Sequence, residues 1–290
     1  MITVRAPATS ANLGSGFDVF GVALSRPADV LRVERAERTS IEVTGIGSEY
    51  IPEDPAQNTV GAVAKALDAP AHIRIDKGVR PSSGLGSSAA SAAGAALALS
   101  ALYGRDLSRR DLVPVAAEGE AVVSGEPHAD NVTPALMGGF TVAADRMTSV
   151  DADVPLVACL PEIAVSTRDA RRVVPDEASM DDLVHTVGRA ATLAVGMCRS
   201  DPDLVGAGME EQVVTPRRAK LITGYNRVRE VALDAGATGV TVSGAGPTVL
   251  AACRRGRRQA VASVMIDAFV DHGVEARAYQ TSIGRGAEVY

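Results

Sequence analysis

The sequence predicts an α+β fold divided into two domains. Three observations lead there. The 290 residues, 46% of them hydrophobic, can bury more than a single small core. Strand-like and helix-like stretches are interspersed, yet with neither a regular β-α-β rhythm nor an internal repeat, which argues against a doubly wound sheet or a solenoid. The composition shifts across DRMTSVDADVP, residues 145–155. The boundary is placed there, giving domains 1–150 and 151–290.

The elements follow in order. Residues 2–6 read as a short strand. PATSANLGSGFD, 7–18, reads as a loop, because proline, serine, asparagine and glycine disfavour regular structure. Strands are expected around 22–24, 30–35 and 39–44, the last two with alternating character. Asn58 is a helix cap, and its helix runs to about Leu67. AHIRID, 71–76, alternates as a strand does. A turn-rich loop over 77–87 leads into an alanine-rich helix reaching about Tyr103, which Gly104 stops. Ser108 caps the next helix, which ends near Ser124 and Gly125. Strands are expected at 139–144 and 154–159, then helices at 179–199, 203–211 and 217–235. VTVS, 240–243, is a strand leading into GAGPTVLAA. A helix over 256–271 and a strand over 274–279 complete the pattern.

Net charge is −6, with acids and bases mixed along the chain. No basic face points to nucleic acid. Cys159, Cys198 and Cys253 lie far apart in apolar surroundings without CxxC spacing, so they read as buried thiols in a reducing compartment. MITVRAPATSANLG shows no basic segment followed by a long apolar run, and the alanine-rich windows are broken by glycine and polar residues, so no membrane span is expected. The expectation is a cytoplasmic protein.

PSSGLGSSAAS, 81–91, is the strongest chemical signal. Gly84 and Gly86 allow a tight turn and close approach to a ligand. The free N–H groups at the following helix start, aided by the helix dipole, favour negative charge. Ser87 and Ser88 add hydroxyls. The stretch predicts a polyphosphate cradle; a glycine turn with a serine cap is the bland alternative. It lacks the GK[ST] ending of a P-loop and the glycine pattern of a dinucleotide fingerprint. A triphosphate brings a divalent cation that wants hard oxygen ligands. Ser88 and a carboxylate are candidates. Glu118 and Glu120 are two apart on a helix and cannot share one face, and spacing does not choose between them.

Three segments together, PATSANLGSGFDVFG (7–21), PSSGLGSSAAS (81–91) and VSGAGPTVLA (242–251), resemble the three motifs of the GHMP kinases. NLGSGFD at 12–18, PHADN at 127–131 and STRDARRVVP at 166–175 make the chain similar to the homoserine kinase family within that superfamily. The resemblance covers nearly the whole chain. It implies an N-terminal domain like domain 2 of ribosomal protein S5, a ferredoxin-like C-terminal domain and an active site between them. It further implies a homodimer that uses ATP and Mg2+ to phosphorylate L-homoserine in threonine biosynthesis.

Site roles follow from the resemblance. ATP-binding positions are Pro81, Ser82, Ser83, Gly84, Leu85, Gly86, Ser87, Ser88, Ala89, Ala90 and Ser91, with Gly244 and Gly246 of SGAGPT closing over the phosphates. Ser91, read from the helix pattern alone, is a packing residue. Glu120, eight positions before His128, joins Ser88 as the magnesium ligand, and Glu118 is structural. Asn12, Asp18, His128, Asn131, Arg171 and Arg218 contact the amino acid. Asp18 suits its ammonium, and the arginines suit its carboxylate. Asn131 orients the nucleophile where some relatives use an aspartate base, and Asp130 is a loop-fixing acid. TPRRAKLITG departs from the family's pattern at Thr215, Arg217 and Thr223, which leaves Arg217 and Arg218 as alternative clamps. A kinase for another alcohol, such as mevalonate, pantoate or shikimate, and a catalytically silent binding protein of the same fold are the competing readings.

Overall fold

The computed structural model describes residues 1–125 and 128–290, and for Val123 and Ser124 the backbone alone. In chain order its first elements are β1 (Ile2–Ala11), β2 (Phe20–Arg35), β3 (Ser40–Gly45), α1 (Thr59–Ala66), β4 (Ala71–Lys77), α2 (Ser87–Leu102), α3 (Arg109–Ser124), α4 (Ala129–Met137), β5 (Phe140–Val142) and β6 (Thr148–Val150). Then come β7 (Pro155–Pro161), α5 (Thr167–Arg172), α6 (Met180–Arg199), α7 (Pro202–Met209), α8 (Thr215–Arg218), α9 (Tyr225–Asp234), β8 (Ala237–Val242), β9 (Val249–Cys253), α10 (Arg258–Val270), β10 (Ala276–Ser282) and β11 (Glu288–Val289).

Two sheets organise the chain. The first runs β11-β1-β2-β4-β3, with β5 and β6 attached to the other end of the long β2; only β3 and β4 pair in parallel. α2 lies across it, buried over most of its circumference. Alanine and glycine permit that close approach: a Cβ on Gly94 would come within 2.7 Å of Leu31 and 3.1 Å of Ala6. A helix apolar on all sides is a core helix, and this one carries the phosphate loop at its start.

The second sheet has the order β10-β7-β9-β8, all antiparallel, with α9 and α10 packed beside it. Numbered from β7, the strands lie fourth-first-third-second, the split arrangement of a ferredoxin-like domain. Period-two alternation buries both of its faces. Val157, Cys159, Val249, Ala251 and Cys253 pack with Val228, Val261, Met265 and Phe269. Leu156, Ala158, Leu250 and Ala252 turn the other way, into the same core as the first sheet. That shared core fixes the two sheets relative to one another.

Asn58 and Ser108 cap their helices as expected, Asn58 accepting from the Val60 N–H and Ser108 forming a capping box with Asp111. Other expectations need correction. Residues 7–11 belong to β1: Pro7 pairs with Ala28, and Thr9, Ser10 and Ala11 pair with Ala23, Val22 and Gly21 after a register shift between Pro7 and Thr9. The strands expected at 22–24 and 30–35 are one strand, β2. The helix expected over 217–235 breaks at Gly224, whose φ is +84°, so α8 and α9 are separate. α4, α5, β6, β9 and β11 were not anticipated; Pro134 inside α4 masked its helical pattern. Cys159 and Cys253 are buried thiols, but Cys198 is exposed. Among the described residues no helix is long and apolar enough to cross a membrane.

Candidate functional site

A cleft of about 380 Å³ opens between the phosphate loop, the turn after β1, the start of α4, and α5 with α8. The loop after β4 turns through Gly84 and Gly86, with φ of +77° and +62°. At Gly84 a Cβ would sit 2.6 Å from the carbonyls of Ser243 and Gly246, and at Gly86 it would overlap Thr9 Oγ1. Only glycine lets these three loops meet. Ser243 Oγ donates to the Gly84 carbonyl at 2.6 Å, and the Thr248 N–H donates to the Ser83 carbonyl at 3.2 Å. α2 then begins at Ser87 with no side-chain cap. Its first N–H groups stay available to an anion in the cleft.

A buried brace holds that helix start. Lys77 Nζ donates to Asp29, to the Ser87 carbonyl at 3.0 Å and to Ser91 Oγ at 2.9 Å. Ser91 Oγ donates to Asp29 Oδ2 at 3.0 Å, while Asp29 Oδ1 accepts from the N–H groups of Gly78 and Val79. Burial holds the Lys77 ammonium below the ordinary lysine value, and Asp29 opposes that shift. Residues 81–84, 86–88 and 91 line the cleft. Leu85, Ala89 and Ala90 turn their side chains into the core and have only backbone to offer.

Ser88 Oγ donates to Glu120 Oε1 at 2.8 Å. Glu120 is 4% exposed, whereas Glu118 is exposed on the outside of α3. Burial first, and then the Asp130 carboxylate, push Glu120 up to about 8. Among the described residues no cluster of three or more His, Cys, Asp or Glu side chains could hold a metal. Two hard oxygens beside a phosphate cradle therefore fit a magnesium ion that takes its other ligands from phosphates and water.

The other end of the cleft is built from side chains. Asn12, Leu13 and Asp18 all have left-handed backbone, with φ of 72°, 51° and 57°. Asn12 lines the cleft but spends its amide on the loops: Oδ1 accepts from the Asp18 N–H at 2.9 Å and Nδ2 donates to the Gly244 carbonyl at 3.1 Å. Arg171 Nη1 donates to Asp18 Oδ2 at 2.6 Å. Arg218, 6% exposed, donates to the carbonyls of Gly244 and Ala170. Arg217 turns away to the Val213 carbonyl and does not line the cleft, so Arg218 is the one that sits there. Phe17, missed from sequence, lies under both guanidinium groups, 5.5 Å from Arg171 and 5.0 Å from Arg218, within cation-π range.

His128 caps the start of α4, and Asp130 and Asn131 stand on its first turn. Pro127 of the PHADN element lies outside the described residues. Asp130 is buried, which pushes its carboxyl up to about 6. Thr9 Oγ1 donates to Asn131 Oδ1 at 2.9 Å. That contact, unforeseen in the sequence, fixes which way the amide points, and Nδ2 donates to Asp130 Oδ1 at 3.5 Å, with its second N–H not used in that contact. Asn12, Asp18, Ser88, Glu120, His128, Asn131, Arg171, Arg218, Gly244 and Gly246 thus all line one cleft.

The model of the GHMP kinases N terminal domain matches residues 56–139, and that of the GHMP kinases C terminal domain matches 193–271. The chain is 73% identical over 290 residues to a homoserine kinase of Halorubrum lacusprofundi, covering 100% of this chain and 99% of that protein. To a homoserine kinase of Methanocella arvoryzae it is 47% identical, covering 99% and 97%. It is similar to the crystal structure of homoserine kinase from Cytophaga hutchinsonii, with TM-score 0.90 and 32% identity over 100% of this chain and 97% of that one. The mevalonate kinase of L. major, 15% identical with TM-score 0.76 over 97% and 95% of the two chains, shares the fold.

Proposed function

The chain belongs to the homoserine kinase family of the GHMP kinases, and from that premise we propose how its cleft transfers the terminal phosphoryl group of ATP to the side-chain hydroxyl of L-homoserine, giving O-phospho-L-homoserine for threonine biosynthesis. The observation that carries the reading is the uncapped start of α2, with the Ser88–Glu120 pair and Asn131 lining the same cleft.

Phosphoryl transfer depends on position and field more than on a strong base. The first N–H groups of α2, with Ser87 and Ser88, hold the phosphates. Gly244 and Gly246, seated against Gly84, close the loop over them. Ser88 and Glu120 would hold magnesium, which, when bound, offsets phosphate charge. Asp18 receives the substrate ammonium, and Arg171 and Arg218, steadied on Phe17, receive its carboxylate. His128 lines the same end of the cleft. Asn131, its carbonyl occupied by Thr9, offers an amide N–H to the reacting hydroxyl oxygen. As the hydroxyl O–P bond forms, the bond from that phosphorus to the bridging oxygen breaks. The ADP leaves, and the hydroxyl proton passes to a phosphate oxygen or to solvent. Asp130 stays a structural acid beside Asn131. By the same family relation we read the protein as a cytoplasmic homodimer.

Coupled ADP-release assays with homoserine, mevalonate, pantoate and shikimate, each with and without magnesium, test this. Magnesium-dependent turnover with homoserine far above the other three is expected. In Asn131→Ala, kcat should fall about a hundredfold with nucleotide affinity unchanged. Preference for another alcohol, or unchanged turnover in that variant, would reject the assignment it addresses.

A further inference from the structure

A second cavity, of about 720 Å³, lies on the other side of α8 and shares no lining residue with the cleft. Its floor is apolar: Met209, Ile222, Tyr225 and Val240 line it and are buried. Its rim is polar, drawn from residues 210–212 after α7, from the turn after α8, from the start of α9 and from His185 of α6. An apolar floor edged by a few polar groups is the form of a small-molecule site. The volume suits an organic molecule better than a bare ion.

The charges say what kind of molecule. Glu211 is spent on the backbone: its carboxylate accepts from the N–H groups of Val214 at 2.8 Å and Thr215 at 2.6 Å, and from that of Val213. Glu210 pairs with Arg189 at 3.4 Å and Arg229 at 3.3 Å. Arg227 pairs with Glu230 at 2.8 Å. That leaves Lys220, exposed at the rim, as the lysine or arginine of the lining without an anionic partner among the described residues. His185 adds a donor to the wall. Its Nε2 accepts from Arg189 Nε at 3.4 Å, so the neutral ring carries its proton on Nδ1, a buried atom with no partner among the described residues. Unspent charge at the rim is therefore positive, and its match is an anionic headgroup.

The cavity and the cleft share a wall. α8 is four residues long. Its Arg218 lines the cleft, while its Thr215 and Pro216, with Ala219 just after it, line the cavity. So short a helix has little stability of its own. A body packed against its Thr215–Pro216 side would steady the arginine on the other.

We propose that this cavity is a second ligand site, taking a small organic molecule with an anionic headgroup, carboxylate or phosphomonoester, on an apolar body, and that its occupant favours homoserine binding through α8. The coupling rests on Arg218 receiving the substrate carboxylate; the binding does not.

Ligand-observed NMR titrations of the whole protein with isocaproate, butyl phosphate and the uncharged isocaproamide test the site. One or both anions should bind saturably, the tighter one identifying the headgroup, and the amide should bind about tenfold or more weakly than that anion. Lys220→Ala should weaken the anion about tenfold, and Lys220→Arg should recover most of the loss. Arg218→Ala should leave the anion's affinity within about twofold. In the unaltered enzyme the saturating anion should lower KM for homoserine about threefold with KM for ATP unchanged. At the same concentration it should leave Lys220→Ala unaffected, and without it that variant should match the original. No saturable binding of either anion, an amide as tight as the anion, or binding indifferent to Lys220→Ala would overturn the site. So would an anion that raises KM for homoserine in both proteins, since it would then be sitting in the cleft. Lys220-dependent binding with no change in KM would overturn the coupling. An Arg218→Ala enzyme with unaltered KM for homoserine would remove the clamp reading and the coupling with it, while Lys220-dependent binding would still uphold the site.

Discussion

On the reading proposed above, the nucleotide end and the amino-acid end of the cleft would hold their ligands in different ways. At the phosphate loop the groups that would face the phosphates are chiefly backbone N–H groups at the uncapped start of α2, and a buried brace, Asp29–Lys77–Ser91, locks that helix start. On the other side the groups are side chains brought from four separate segments, 12–18, 128–131, α5 and α8, and they hold one another. On that reading the first design is indifferent to which alcohol arrives, and the second carries the selection. Changes behind the phosphate loop should therefore cost stability, and changes at the clamp should cost substrate affinity.

The sharpest way to break that contrast is Lys77→Met, which leaves Asp29 buried without its cation. It should lower unfolding free energy by about 3–5 kcal/mol, measured by urea denaturation; a loss under 1 kcal/mol would show the brace to be dispensable. Glu120→Gln should lower kcat/KM by about 10² to 10³ and raise the magnesium concentration needed for half-maximal rate, while Glu118→Gln leaves both alone. The reverse pattern would move the ligand to Glu118. Next comes Arg218→Ala, expected to raise KM for homoserine about a hundredfold with KM for ATP unchanged. Arg217→Ala should stay within about twofold, and equal effects of the two would erase the distinction drawn between them. The smallest change expected is in Thr9→Val, where losing the hydroxyl that sets the Asn131 amide should cost about tenfold in kcat. Thr9→Ser should recover it, and a silent Thr9→Val would show that Asn131 needs no such support.

The same contrast explains what could be read in advance. The phosphate loop is local: its glycines, serines and helix start all lie within residues 81–91, so its chemistry is legible without the fold. The clamp joins Asp18 to Arg171 and Gly244 to Asn12 across most of the chain, and only likeness to a family could assemble it. Thr9, Phe17 and the Asp29–Lys77 pair had no signal at all, because a threonine in a turn-rich stretch or a lysine at a strand end looks ordinary until tertiary contact gives it a partner. The helix caps at Asn58 and Ser108 were readable for the opposite reason, since each cap bonds within three residues. β1 was cut short in the reading because turn-forming residues can still pair when a long neighbouring strand, β2, lies beside them.

Asp18 and Arg171 already answer each other at 2.6 Å, and this has a consequence for discrimination. A hydroxy acid with a carboxylate but no amine would draw Arg171 toward itself and leave Asp18 facing the cleft without a counter-charge. A zwitterion instead exchanges one ion pair for two. On the proposed reading the contact would act as a charge-counting gate, turning away half-matched molecules of the right shape before their hydroxyl ever lined up with the phosphorus.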